Sequence, residues 1–142
     1  MTVRIFVQDK AHEIVQARRS DPVSRVIALL AERRIGCVPI VEDGQVLGLF
    51  SERDVVYGLA REGAGLLERP VGEVMTAPAV TIESHTPVLS ALSLMTKRRI
   101  RHLPIVEGGR MIGFVSIGDL VKSRIDRIEA EAEAMRSYIQ SA

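Results

Sequence analysis

The sequence repeats itself at an offset of 65 residues. Residues 22–56 align with residues 87–121 without a gap, and 15 of the 35 aligned pairs are identical. Average residue frequencies give roughly two identities by chance over this length. The chain of 142 residues therefore contains two related units, each too small to bury a large core alone. We expect the two units to pack sheet against sheet with approximate two-fold symmetry.

Each copy predicts the same order of elements: strand, helix, strand, strand, helix. Short strand candidates lie at 13–17 and 78–82, and each precedes a turn and a proline suited to the first turn of a helix. Two apolar strands follow the helix in each copy. They are joined by Asp43-Gly44 or Gly108-Gly109, residue pairs that favour two-residue hairpin turns. The sequence predicts an α/β fold of two tandem βαββα units and a long C-terminal helix.

The repeat also divides the chain. We place the first unit at 8–62, the second at 71–124, a connection at 63–75 and a helical extension at 125–142. Apolar residues such as Leu66 and Val71 predict that the connection packs against the units instead of forming a flexible linker.

Both copies contain the pattern Gly, two apolar residues, Ser, two variable residues and Asp, at 48–54 and 113–119. Ser-x-x-Asp at the start of a helix is typical of a capping box, in which the two side chains satisfy free backbone amides. The same geometry suits a ligand, because a helix N-terminus attracts phosphate and an aspartate can accept both hydroxyls of a ribose. The local pattern leaves both interpretations open.

The repeat, the hairpin with its proline and the Gly-x-x-Ser-x-x-Asp ending together resemble the CBS domain, named after cystathionine β-synthase. Two copies in tandem are similar to a Bateman module, a family of adenine-nucleotide sensors. The resemblance extends from about residue 8 to residue 124. It implies a stand-alone regulatory protein, not an enzyme, with a role in energy sensing and with AMP as the expected ligand. ADP, ATP, NAD(H) and S-adenosylmethionine are the alternatives.

The resemblance also implies site residues, in which the aspartate holds the ribose, the serine and nearby cations meet phosphate, and apolar residues enclose the base. Carried over by position, one cleft contains Asp54, Ser51, Arg53, Lys10, Ile14, Val15, Val38 and Pro39. The other cleft contains Asp119, Ser116, Ile117, Thr76, Ala79, Val80, Arg101, His102, Leu103 and Pro104.

The two clefts differ in charge. The first has Arg53 beside its aspartate, whereas the second has Gly118 there and must take positive charge from Arg101, His102 or Lys122. Because charge-assisted contacts to phosphate are stronger than neutral ones, we expect the clefts to differ in affinity for a charged nucleotide.

Other residues have simpler interpretations. Cys37 begins an apolar strand and is expected to be a small buried side chain, not a nucleophile. His102 is either a phosphate contact or a structural residue. The basic cluster 97–102 is expected to face the negative end of a helix. No spacing of ligands predicts a metal site, and no set of residues predicts catalysis.

The last helix has apolar residues at alternating steps of four and three, which form a heptad seam. The seam consists of Val121, Ile125, Ile128, Ala132, Met135 and Ile139. We expect it to be a dimer interface, in agreement with the disc-like dimers that the resemblance implies. The alternative is a helix that folds back on its own unit.

Composition restricts the remaining classes. A net charge of +1 gives no support to a nucleic-acid surface or a polybasic membrane anchor. The N-terminus has no secretory pattern, so a soluble cytoplasmic protein is expected. Since no effector domain is recognisable, we expect regulation of an unknown partner protein in trans. The alternative function is that of a structural dimerisation protein that binds no nucleotide.

Overall fold

The computed structural model describes residues 1–7 and 14–141. The helices and strands follow one another as α1 (Val23–Arg33), β1 (Cys37–Glu42), β2 (Gln45–Ser51), α2 (Glu52–Glu62), α3 (Val71–Val74), α4 (Val88–Arg98), β3 (His102–Glu107), β4 (Arg110–Ser116) and α5 (Ile117–Ser141). Short 3-10 turns cover Val3–Phe6 and Gly63–Glu68. No described helix is both long and apolar enough to cross a membrane.

The two hairpins form as predicted. β1 pairs with β2 and β3 with β4, both antiparallel, and each pair has a register shift at the same position of the repeat. Asp43 and Gly44 have φ values of 51° and 82°, and Gly108 and Gly109 have values of 57° and 78°. Positive φ at both central residues is the geometry of a type I′ turn, whose twist matches that of the strands.

The predicted first strand of each copy is reduced to a single bridge. Ala17 pairs in parallel with Ile40, and Ile82 pairs in parallel with Ile105. Ala17 and Ile82 are the last residues of the predicted strands, and after Ala17 the chain turns, where the Asp21 carboxylate accepts a hydrogen bond of 2.9 Å from the Arg18 amide. The expectation of full strands at 13–17 and 78–82 was therefore wrong, and Glu13 lies outside the described residues.

Each copy has its own core. In the first copy, Val23, Val26 and Leu30 of α1 pack against strands β1 and β2. In the second copy, α4 packs in the same way on β3 and β4. These helices have the buried face that the apolar spacing predicted.

The connection belongs to the first core, as expected. Leu66 and Val71 are fully buried there. Between the copies lies a third, smaller cluster of Ile14, Val41 and Met111. The Met111 amide also donates to the Gly44 carbonyl at 2.9 Å. The two sheets are thus joined by apolar packing and by backbone hydrogen bonding.

Candidate functional site

The repeated serine and aspartate form a capping box in both copies. At α2 the Asp54 carboxylate accepts from the Ser51 amide at 2.9 Å, and the Ser51 hydroxyl accepts from the Asp54 amide at 3.4 Å. At α5 the equivalent distances between Ser116 and Asp119 are 2.9 and 3.1 Å. The structural role of the motif is confirmed, and a ligand would have to use the atoms that capping leaves available.

A cleft of about 360 Å³ opens beside the α2 capping box. Its size lies at the lower end of the range for small-molecule sites, roughly 300–1,000 Å³. Both copies of the repeat contribute to it. Its lining residues are Gly36, Cys37, Leu49, Ser51, Glu52, Arg53, Asp54, Thr76, Arg99, Ile100, Arg101 and His102. We call it the Asp54 cleft.

Thr76 is attached to one wall of this cleft by backbone and side-chain hydrogen bonds. Its amide and carbonyl exchange two hydrogen bonds of 2.9 Å with Leu49 of β2. Its hydroxyl donates to Asp54 Oδ1 at 2.8 Å, whereas Asp54 Oδ2 accepts from the capping serine. Both carboxylate oxygens are therefore engaged in hydrogen bonds within the protein.

The first glycine of the repeated motif permits this close approach. A Cβ on Gly48 would lie 2.7 Å from the Thr76 carbonyl oxygen and 2.8 Å from Met75 Sδ. In the second copy a Cβ on Gly113 would lie 2.9 Å from the Phe6 carbonyl oxygen. Both glycines therefore allow another backbone segment to lie against the strand, a role that the sequence interpretation did not assign to them.

The second copy supplies the opposite wall. Helix α4 ends at Arg98, and the capping residue Arg99 adopts a left-handed conformation with φ 55°. The Ile100 amide then donates back to the Met95 carbonyl at 3.0 Å, which closes the helix end. Arg99 lies in this turn and Arg101 comes just after it, and both line the cleft. Lys97 and Arg98 lie in the last turn of α4, so the expectation for the basic cluster holds for those two residues only.

The structure places only some of the residues expected in the first cleft at the Asp54 cleft. Ser51, Arg53 and Asp54 line one cleft together. Val38 is fully buried in the first core and Pro39 is buried beside it. Ile14 belongs to the cluster between the copies, and Val15 packs against the first core. None of these four is a lining residue of the Asp54 cleft, and Lys10 lies outside the described residues.

The larger correction concerns the other set. Thr76, Arg101 and His102 were expected in the Asp119 cleft, but they line the Asp54 cleft. Of the three, His102 also lies near Asp119, since it pairs with Ser116 across β3 and β4. The physical reason is that the cleft lies between the copies, so its walls come from both. Of the remaining expected residues, Leu103 and Pro104 are buried, Val80 packs on the second core, and Ala79, Ser116 and Ile117 are half-buried or exposed. Asp119 borders a depression that also includes Met1, Ile5 and Lys122.

The Asp54 cleft is rich in cations. It contains Arg53, Arg99 and Arg101 as well as the carboxylates of Glu52 and Asp54. Under the 65-residue offset, these three arginines correspond to Gly118, Arg34 and Gly36, in that order. Only one of the three therefore has an arginine as its counterpart in the repeat. The sequence interpretation did not include Arg99 among the site residues. Its identity with Arg34 in the repeat could have drawn attention to it.

The surroundings of two titratable side chains of the cleft shift their pKa values in favour of the neutral forms. Burial lowers the pKa of His102, and Arg101 lowers it further, against the opposing effects of Asp119 and Glu52. The His102 ring stacks on Phe114 with a centroid separation of 5.5 Å. Burial and the Asp54 charge raise the pKa of the Cys37 thiol to about 12, and Cys37 is 4% exposed. A buried, protonated Cys37 fits the expected packing role.

The cleft holds no recognisable metal centre. Within residues 1–7 and 14–141, no three His, Cys, Asp or Glu side chains are grouped so that they could hold a metal ion. The polar groups of the cleft are arranged as cations, hydroxyls and carboxylates around an open space, an arrangement suited to recognising a polar ligand.

Comparison with known proteins identifies relatives along most of the chain. The CBS domain family model matches twice, at residues 10–61 and 71–126. The mitochondrial CBS domain-containing protein CBSX3 of Arabidopsis thaliana is 32% identical over 125 residues, which cover 84% of this chain and 61% of the relative. The chain thus spans less than two thirds of that protein.

Solved structures share the fold. A CBS-domain protein from Agrobacterium tumefaciens is 34% identical, with a TM-score of 0.79 and coverage of 87% of this chain and 99% of that one. Two more distant CBS-domain structures were solved with ligands that contain adenosine. CBSX2 in complex with AMP is 23% identical, with a TM-score of 0.75 and coverage of 88% and 96%. The CBS pair of MJ0100, in complex with 5-methylthioadenosine and S-adenosyl-L-methionine, is 21% identical, with a TM-score of 0.76 and coverage of 89% and 98%.

Proposed function

Because the chain belongs to the CBS-domain family and contains two copies of the domain, we propose that it is a regulatory module that binds an adenine nucleotide in the Asp54 cleft. The observation that carries the proposal is the composition of this cleft. One open space combines the Asp54 carboxylate, the Ser51 hydroxyl at the start of α2 and three arginines. These groups match the ribose and phosphate of a nucleotide.

AMP is the ligand that we propose. CBS-domain structures have been solved with AMP in CBSX2 and with S-adenosylmethionine in MJ0100. Three arginines against two carboxylates in the Asp54 cleft favour an anionic phosphate over a cationic sulfonium. ADP, ATP and NAD(H) carry the same ribose and phosphate groups and belong in the same binding test.

We assign a role to each residue of this cleft that a nucleotide would meet. Asp54 Oδ1 accepts the ribose hydroxyls in place of Thr76, and Asp54 Oδ2 continues to cap α2. Arg53, Arg99 and Arg101 contact the phosphate. Occupancy regulates a partner protein in trans, which requires the ligand to favour one conformation by typically 1–3 kcal/mol.

We further propose a homodimer as the regulated state. The apolar seam of α5 is exposed in the single chain, from 41% at Val121 to 65% at Ile139. This exposure contradicts the alternative in which the helix folds back on its own unit. A helix face of this kind is stabilised by a second helix.

Calorimetric titration with AMP, alongside ADP, ATP, NAD(H) and S-adenosylmethionine, tests the proposal. Asp54→Asn keeps an oxygen for the capping box but removes the charge, and we expect it to weaken AMP binding roughly tenfold or more. Arg53→Gly copies the second repeat and should weaken binding as well. The matched variant Gly118→Arg has room for its side chain, since a Cβ there meets only Ser116 Oγ at 3.6 Å. It should leave binding at the Asp54 cleft unchanged.

The outcomes separate the alternatives. A protein that ignores every adenine ligand at millimolar concentration is a structural or interaction protein, and the nucleotide proposal is then wrong. Two identical, independent sites would contradict the assignment of the ligand to the arginine-rich cleft. Mass spectrometry of small molecules released from the denatured protein provides an independent check of ligand identity.

A further inference from the structure

The C-terminal half of α5 projects away from the rest of the chain. Every described residue from Ile125 to Ser141 is exposed, although this part of the helix is continuous with the turns that pack on the second copy. Ile128 and Met135 are 49% and 61% exposed. An apolar stripe of this length in water is costly unless another surface covers it.

The rest of the chain packs on the side of α5 that lies opposite the apolar seam. With Ile125 assigned to heptad position a, the buried Leu120 falls at position c and Ser123 at position f. The Ser123 hydroxyl lies 3.4 Å from Met1 Sδ, so this side faces the 3-10 turn at the start of the chain. Positions c and f lie away from the a and d seam. The seam therefore points away from the domain and is accessible to a partner.

The charges beside the seam favour one orientation of a second chain over the other. In a parallel pair, each residue at position g faces the residue five places later, at position e, of the other helix. Arg124 then faces Glu129, and Glu131 faces Arg136. Symmetry generates each pair twice, so all four contacts join opposite charges.

An antiparallel pair in full overlap gives the reverse result. When Val121 faces Ile139 across the seam, residues at e face e and residues at g face g. Glu129 of one chain then faces Glu129 of the other, Glu131 faces Glu131, and Lys122 faces Arg136. These are like-charge contacts, which oppose association.

From these charges and from the accessible seam, we propose that two copies of the chain associate through a parallel coiled coil of their α5 helices. The proposal rests on the homodimer of the proposed function and adds its orientation. Packed helices lie about 8–10 Å apart, so parallel pairing brings the Asp119 ends of both α5 helices close together. The second CBS copies of the two subunits then become neighbours.

Disulfide formation tests the orientation. In a Cys37→Ser background, Met135→Cys places identical positions opposite each other in a parallel coil, and rapid air oxidation to a covalent dimer is expected. Ala130→Cys, on the outer face of the same helix, is the matched control and should remain monomeric on reducing-agent-free gels. Mixed Ile125→Cys and Met135→Cys proteins should give Met135→Cys homodimers. A predominant mixed disulfide means antiparallel pairing and overturns the proposal.

Charge reversal provides a second readout that does not depend on cysteine chemistry. Neither Arg124 nor Glu129 has an ion pair within the described part of the chain, so their reversal leaves the intrahelical pairs intact. Arg124→Glu should raise the dimer dissociation constant roughly tenfold, because two attractive contacts become repulsive. The double variant Arg124→Glu/Glu129→Arg should restore it.

The proposals fail in distinguishable ways. Light scattering that shows a monomer at micromolar concentration overturns both the dimer and its orientation, whereas AMP calorimetry on that monomer still tests the nucleotide proposal. A dimer that Arg124→Glu leaves unaffected, or that the double variant does not restore, overturns the parallel coil alone.

Discussion

Replacing Gly48 by alanine perturbs the contact between strand β2 and the backbone at Thr76. The new Cβ would lie 2.7 Å from the Thr76 carbonyl oxygen, and backbone cannot yield as a flexible side chain does. The two Leu49–Thr76 hydrogen bonds of 2.9 Å would be strained or lost, at about 1 kcal/mol each. Overpacking adds about 1 kcal/mol or more. We expect Gly48→Ala to lower the free energy of unfolding by about 3 kcal/mol.

Urea denaturation followed by circular dichroism, at a fixed protein concentration, measures this loss. In thermal unfolding it corresponds to a decrease in Tm of about 9 °C for a chain of this size. Gly65→Ala is the matched control, because no heavy atom lies within 4 Å of its added Cβ. Its stability should be unchanged or higher by up to about 1 kcal/mol. A Gly48→Ala protein that loses less than about 0.5 kcal/mol would refute the argument from close approach.

The neutral side chains of the cleft give two pH-dependent expectations. Because the pKa of the Cys37 thiol is raised to about 12 from 9.0, the unfolded chain loses this proton first, and stability should fall as pH rises from 9 to 12. Cys37→Ser should flatten that decline in urea titrations. Because the pKa of His102 is lowered, the unfolded chain gains a proton first as pH falls through 6.5, so stability should fall on the acidic side. His102→Gln should reduce the difference in stability between pH 7 and pH 5, and an equal difference in the variant and the unmodified protein would contradict this.

The helices and hairpins of each copy were predictable because local signals determine them. The apolar spacing of α1 and α4 predicted their buried faces, and Asp43-Gly44 predicted the position and two-residue length of the first hairpin turn. The motif at Ser51 and Asp54 gave the start of α2. In each case the decisive interactions join residues a few positions apart, so a single sequence contains the information.

The walls of the Asp54 cleft could not be assigned correctly for the opposite reason. Thr76 and His102 lie 22 and 48 positions after Asp54 in the sequence, and their placement depends on how the two copies pack. The repeat reveals which residues are equivalent but not which copy faces which cleft. The assignment of each copy's residues to its own cleft failed for this reason, and Arg99 was missed with it.

The strand candidates at 13–17 and 78–82 failed for a different physical reason. Apolar composition indicates burial, and both Ala17 and Ile82 are indeed buried. Strand length depends on how many consecutive residues lie beside a neighbouring strand, which composition does not reveal. In both copies only the last residue of the candidate segment forms a bridge, at Ala17 and Ile82.

The single bridges at the sheet edges affect the tendency of this protein to aggregate in a crowded solution. Each two-stranded sheet has two open edges, and an open edge is a template on which another chain can add a strand and begin to aggregate. The bridges at Ala17, Thr76, Ile82 and Val7 lie on β1, β2, β3 and β4 respectively. Each edge therefore has a short backbone segment from elsewhere in the chain across it. Together they interrupt the rows of free amides and carbonyls, so the native fold itself resists intermolecular strand addition.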